Sequence, residues 1–184
     1  MTTPKALLTL DDLMKLPEIE CRYELVRGEL VSVPFSSFEH GEVLGELAVT
    51  VREFTRRSGA GRVALGCGVV LHRNPDTVRA PDLCFVHSDR FPADFDGDGY
   101  LTIIPDLVAE VVSFNDLAEA MQQRIVEWLA AGVRLVWVLY PGTRTVYAYR
   151  SETDVRVYTA ADTLDGGDVL PGFACAVVTL FMVD

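Results

Sequence analysis

Two short apolar runs, each carrying a carboxylate, constrain this chain more than any other feature: Ala80-Pro81-Asp82-Leu83-Cys84-Phe85-Val86 and Pro105-Asp106-Leu107-Val108-Ala109-Glu110-Val111-Val112. Apolar runs of this kind read as strands buried on both faces. An ionised side chain in such a strand is costly unless it is paired or metal-bound. Two such strands in one small domain point to a cation site.

The length allows one domain. The 184 residues, 49% hydrophobic and 23% charged, suit a single globular unit spanning residues 1–184 with a sizeable core. The opening residues run into Asp11 and Asp12 too early for a signal peptide, and no apolar run reaches the length of a membrane span. A soluble, cytoplasmic protein is expected. Cys21, Cys67, Cys84 and Cys175 lie far apart with no C-x-x-C pairing, which favours free buried thiols over disulfides or zinc.

The net charge of −11 argues against tight, non-specific binding of DNA, because that needs a basic surface whose contacts release counterions. It leaves room for a nuclease. Carboxylates gathered around a metal add to the negative count, and a local basic groove is invisible in a sum. Arg52, Arg56, Arg57, Arg62, Arg73 and Arg79 are the candidates for that groove.

Along the chain, residues Leu8 to Leu16 have the apolar spacing of a short helix, capped by Thr9 and stopped at Pro17. Residues 22–26 and 29–33 alternate around Arg27-Gly28 as a hairpin. Val43, Leu44, Leu47, Val51 and Phe54 recur at helical spacing, which predicts an amphipathic helix from about His40 to Arg57, ended near Gly59. A strand is expected over 62–72. The acidic stretch from Asp94 to Tyr100 looks like a calcium loop, but Pro105 stands where an EF-hand needs its bidentate Glu, so a surface turn is expected. A further helix, capped by Asn115 or Ser113, has the inner face Leu117, Met121, Ile125, Trp128 and Leu129 and closes at Ala131-Gly132. It lies between the second acidic strand and a buried strand over 135–140, the order of a right-handed crossover. A strand over 145–149 and a tail of short strands and turns follow. The order predicts an α/β, or α+β, mixed sheet flanked by helices.

Several ordered motifs now form a set: Tyr23-Glu24-Leu25 with Gly28-Glu29-Leu30, Val78-Arg79-Ala80-Pro81-Asp82, Pro105 to Ser113, Ala130-Ala131-Gly132-Val133 with Trp137-Val138, and Leu170-Pro171-Gly172-Phe173. From about Leu8 to Phe181 the chain resembles the bacterial putative restriction endonuclease family of the PD-(D/E)XK nuclease superfamily. The resemblance implies a restriction-endonuclease-like fold and hydrolysis of DNA phosphodiesters that depends on Mg²⁺ (or Mn²⁺). It assigns Asp82 and Glu110 as the carboxylates that hold the hard cation through oxygen.

The basic residue departs from the pattern. Val112 stands where the superfamily usually has its lysine, Arg124 stands where this family carries the lysine on the next helix, and Ala120 replaces the aspartate four residues earlier. Arginine supplies charge and hydrogen bonds but does not give up a proton. Two readings therefore stand at this point. One is a metal-dependent endonuclease with Asp82, Glu110 and Arg124 in its catalytic centre. The other is a catalytically impaired module of the same fold, with Arg124 a solvated helix residue or paired to Glu119 or Glu127. Glu24 and His40 are auxiliary candidates, with a solvated strand face and a helix cap as their ordinary alternatives. Asp106 is expected to cap or turn, and Trp128 and Trp137 to pack in the core. The edge-strand-like tail makes a homodimer the expected assembly.

Overall fold

The structure, a computed structural model, describes residues 6–16 and 22–182. Pro17 and Cys21 lie outside them. α1 (Leu10–Leu13) is a single turn, shorter than expected, yet its cap is the expected one. The Thr9 N–H donates to Asp12 Oδ2 at 2.9 Å while the Asp12 N–H donates to Thr9 Oγ1 at 3.3 Å, a reciprocal box that satisfies two otherwise orphan donors. β1 (Arg22–Val26) and β2 (Glu29–Val33) form the predicted antiparallel hairpin with Val26 opposite Glu29. Arg27 and Gly28 between them have φ of 53° and 79°, as a two-residue turn of this hand requires.

α2 (Phe38–Ser58) starts where Ser37 Oγ accepts the His40 N–H at 3.2 Å and stops at Gly59 in the left-handed conformation. The single strand expected over 62–72 is in fact two, β3 (Gly61–Leu65) and β4 (Val69–His72), which lie in different sheets. The chain turns between them at Gly66, φ 57°. At Gly68 a side-chain Cβ would come within 2.0 Å of the Tyr100 ring, so only glycine permits the close approach. β5 (Thr77–Arg79), too short to stand out in the sequence, joins β4 to the hairpin in a sheet of order β2-β1-β5-β4.

The acidic runs become β6 (Leu83–His87) and β7 (Leu107–Val111), paired antiparallel. α3 (Ala118–Ala131) carries the chain from β7 to β8 (Leu135–Tyr140), which lies parallel to it with Glu110 opposite Val138. With β9 (Thr145–Tyr149) and β10 (Val155–Tyr158) these strands make a six-stranded sheet of order β10-β9-β8-β7-β6-β3. β11 (Thr163–Gly166) and β12 (Leu170–Ala176) form a separate ribbon. The predicted mixed sheet flanked by helices is what the chain adopts.

Alternation explains why the acidic runs are apolar throughout. Leu83, Phe85, Leu107 and Ala109 face one side, where they meet Val43, Leu47 and Val51 of α2 and Leu170 and Phe173 of the tail. Cys84 and Val108 face the other, against Met121, Ile125 and Trp128 of α3. Leu117 is not on that inner face: it is 73% exposed and is itself the N-cap of α3, with no side-chain cap. Ser113 and Asn115 do not cap either. The Ser113 N–H instead closes a turn on Asp116 Oδ2 at 2.7 Å. Among the described residues no helix is long and apolar enough to cross a membrane.

Candidate functional site: carboxylates around a buried guanidinium

Strand register brings the two acids together. Leu83 pairs with Ala109, so one further step sets Asp82 across from Glu110 on the face that α3 covers. Both are buried, at 9% and 3% exposed. Asp82 Oδ2 accepts the Val111 N–H at 2.8 Å, and Oδ1 stands 3.3 Å from His40 Nε2. Glu110 Oε1 accepts the Trp128 Nε1–H at 2.8 Å and the Arg124 Nε–H at 2.7 Å. Among the described residues Glu110 Oε2 accepts no hydrogen bond.

Arg124 and Trp128 reach the same oxygen because they lie one helical turn apart on α3. The Arg124 side chain is 17% exposed, and it spends its fork on the protein. Its two terminal nitrogens donate to Glu24 at 3.0 and 2.8 Å, and one of them also to the Ala80 carbonyl at 3.0 Å. With the bond to Glu110, four hydrogen bonds leave a group of five N–H donors. Glu24 is saturated in turn, taking Arg79 and the Ala80 N–H, each at 2.8 Å. Arg79 continues to Glu127 through Nε at 2.7 Å. The outcome is a buried chain of alternating charge, Glu110, Arg124, Glu24, Arg79, Glu127.

The charges differ in how comfortably they are held. Burial pushes the Glu110 carboxyl above its ordinary range and the charge of Asp82 adds to this, while Arg124 and the Trp128 N–H pull the other way. Burial acts on Glu24 in the same sense but loses to Arg124, the Ala80 N–H and Arg79, so Glu24 falls below its ordinary value. Burial works against the Arg124 charge, yet Glu110 and Glu24 outweigh it and hold the guanidinium protonated. Burial also opposes charging of His40. Its bond to Asp82, that charge, the Val111 carbonyl and Asp116 nevertheless raise it. His40 Nδ1 meets Ser113 Oγ at 3.0 Å, which ties the start of α2 to the loop after β7.

Each sequence candidate therefore has a definite place. Asp82, Glu110 and Arg124 come together, with His40 on the Asp82 side and Glu24 on the Arg124 side. Arg124 is salt-bridged, but to Glu110 and Glu24, and not to Glu119 or Glu127. Glu24, at 1% exposed, is not on a solvated face. Asp106 is more than a turn residue: at 2% exposed it accepts the His87 N–H at 2.9 Å and pairs with Arg90 at 2.9 Å.

The basic groove does not form as expected. Arg79 is inside the centre, Arg73 pairs with Asp76 at 2.8 Å, and Arg62 lies over the Phe91 and Phe95 rings. Arg52, Arg56 and Arg57 are exposed, but the α-helical rise sets them about 18–26 Å along α2 from His40. Sequence reasoning also missed Trp128 as a donor, although its spacing from Arg124 was readable. It missed three exposed rings in the segments that His40 and Ser113 join: Phe35, Phe38 and Phe114, at 81%, 83% and 81% exposed.

As a cation site the centre offers few donors. Among the described residues no group of three or more His, Cys, Asp or Glu side chains is arranged to hold a metal. Mg²⁺ is commonly held by one or two carboxylates, with water and phosphate oxygens completing its shell. Asp82 and the open Oε2 of Glu110 fit that pattern.

The sequence profile of a family described as "Uma2: Putative restriction endonuclease" matches residues 10–178. Comparison with the curated proteins finds no match. Among solved structures the chain is similar to a crystal structure described as "a putative nuclease belonging to DUF820" from Anabaena variabilis ATCC 29413. The TM-score is 0.81 at 21% identity, covering 95% of this chain and 97% of that one. That likeness is one of fold.

Proposed function

Because the chain belongs to the Uma2 family, the one described as putative restriction endonucleases, we propose that it is a metal-dependent endonuclease that hydrolyses DNA phosphodiester bonds. The observation that carries this reading is the facing pair Asp82 and Glu110, buried acids just before β6 and within β7, one of them raised in pKa by burial and by the other's charge. Such a pair is poised to accept a cation. Mg²⁺ or Mn²⁺ held there would polarise a phosphoryl oxygen and lower the pKa of a bound water.

The chain's own residues have separable roles. Glu110 is oriented by Arg124 and Trp128 through one oxygen, which leaves the other for the cation. Asp82 is fixed by the Val111 N–H and faced by His40. Arg124 cannot serve as a proton acceptor. It holds Glu24 below its ordinary pKa and opposes the upward push of burial on Glu110, and the N–H not spent on the protein is available to developing negative charge on phosphate. Phe38 and Phe114 offer rings on which unpaired bases stack, a sequence-tolerant contact that suits an acidic protein poor in nearby basic residues.

A second reading has one specific observation behind it. Arg124 already neutralises Glu110, and a guanidinium that fixed could stand in for the cation in a nucleic-acid-binding or regulatory module without catalysis. As assembly we propose a homodimer, supported by the edge strand β10 with Val155 and Val157 at 37% and 47% exposed.

Calorimetric titration of Mn²⁺ and Mg²⁺ into wild type and Asp82→Asn tests the first reading and needs no guess at the DNA target. Saturable binding in wild type that is lost in Asp82→Asn is expected. Absence of binding in wild type, with and without a short oligonucleotide to supply phosphate oxygens, overturns it in favour of the second.

A further inference from the structure

β6 carries a second chemical feature two residues past Asp82. Cys84 points to the same side of the sheet and is buried. Cys67 sits in the turn between β3 and β4, whose Gly66 N–H lies 3.1 Å from both the Pro81 and the Asp82 carbonyls. The two sulfurs are 3.3 Å apart. A disulfide bond is about 2.05 Å long, so closing it asks for about 1.2 Å of approach. Neither thiol has a part in the carboxylate centre.

The pair is also reachable. Cys67 and Cys84 line a cavity of about 130 Å³ whose other walls include Phe91, Phe95, Tyr100 and Leu101. A water molecule's share of liquid volume is about 30 Å³, so the cavity has room for a molecule a few times larger. Cys67 is the less buried partner, and the Cys84 hydrogen bond to it lowers its pKa. Cys67 is accordingly the sulfur that meets an incoming oxidant, and Cys84 the one that resolves.

We propose that Cys67 and Cys84 form an oxidation site that takes hydrogen peroxide and closes to an intramolecular disulfide between the β3–β4 turn and β6. In the first step the Cys67 sulfur attacks one peroxide oxygen and the O–O bond breaks. An S–O bond forms, and the departing hydroxide leaves as water with the thiol proton. In the second step the Cys84 sulfur attacks the Cys67 sulfur. The S–O bond breaks, and the hydroxyl leaves as water with the Cys84 proton. Overall the peroxide is reduced to two waters and the dithiol is oxidised to a disulfide. The new bond would tie the turn that holds the Asp82 backbone to the strand that carries it.

The test uses native protein and hydrogen peroxide, followed by denaturing alkylation and tryptic mass mapping. Cys67 and Cys84 fall in separate tryptic peptides, 63–73 and 80–90, distinct from those of Cys21 and Cys175. Expected is a 63–73/80–90 cross-link that dithiothreitol removes, with loss of both free thiols. In Cys84→Ser the product becomes a dimedone-trappable sulfenic acid on Cys67, and in Cys67→Ser the remaining Cys84 stays reduced. Alkylation of both thiols after peroxide, a cross-link to Cys21 or Cys175 in their place, or over-oxidation of Cys67 without the cross-link overturns the proposal.

Discussion

Arg124 and Glu110 are joined by a 2.7 Å hydrogen bond from Nε to Oε1, and through it the charges of the centre depend on one another. Removing the guanidinium leaves Glu110 and Glu24, at 3% and 1% exposed, short of their main counter-charge. Arg124→Ala is expected to lower the unfolding free energy by about 3–5 kcal/mol, the usual cost of stranding a buried partner. Urea denaturation at neutral pH reads it as a lower midpoint. Arg124→Lys keeps a charge but not the fork, and should fall between the two. A wild-type midpoint for Arg124→Ala would mean that the network contributes little to the fold.

Glu24 gives the centre its acid limit. Its folded pKa lies below the ordinary value because Arg124, the Ala80 N–H and Arg79 outweigh the opposing effect of burial. A depressed carboxylate contributes stability above its unfolded pKa of about 4.3 and loses it as pH falls through the folded value. Glu24→Gln should therefore be less stable than wild type at neutral pH, by about 3 kcal/mol. The two stability curves should begin to converge as pH falls below the unfolded value and meet once it has passed through the lower folded one. Parallel curves down to the acid transition would show that another carboxylate sets the limit.

What the sequence disclosed follows the range of the interactions. The β1–β2 hairpin was legible because period-two alternation and Gly28 are local, and α2 because its apolar spacing and Gly59 are local too. Glu24 was not, because the partners that bury it, Arg79 and Arg124, lie 55 and 100 residues away. β3 and β4 read as one strand in the sequence because the ring that demands glycine at position 68 belongs to Tyr100, far along the chain. The wide spacing of Cys67 and Cys84, and the apolar run around Cys84, favour free thiols over a disulfide. They are free, as expected, but the fold sets them in contact. Asp82 and Glu110 stood out as acids in apolar runs, whereas Arg124 entered only through the family's motif, since nothing local marks one helical arginine among others.

Trp128 tests whether a core residue also tunes the centre. Its Nε1–H donates to Glu110 Oε1 at 2.8 Å, and the ring is fully buried. Trp128→Phe keeps most of the packing and deletes the donor, for an expected loss of about 1–3 kcal/mol. That bond is among the influences holding the Glu110 pKa down, so its removal should move the pKa further up. Carboxyl-carbon NMR titration of Glu110 in the two proteins separates this from a packing effect, which would cost stability without moving the titration.

The last prediction concerns how divalent cations and pH act together. The Glu110 carboxyl is raised by burial first and by Asp82 as well. Between its unfolded value of about 4.3 and the higher folded value, the folded chain holds more protons, so ionising Glu110 costs stability as pH rises through that window. A cation that binds the ionised pair reverses this cost, and its stabilising effect should grow over the same window. At Mn²⁺ about a hundredfold above its Kd, linkage gives about 2.7 kcal/mol, or a Tm rise of about 5–10 °C for a chain of this size. The rise should shrink in acid and vanish in Asp82→Asn. That variant without metal should titrate Glu110 at lower pH, because the neighbouring charge is gone. A Tm rise independent of pH and retained in Asp82→Asn would locate the cation elsewhere, with the exposed acidic turn from Asp94 to Asp98 the first place to look.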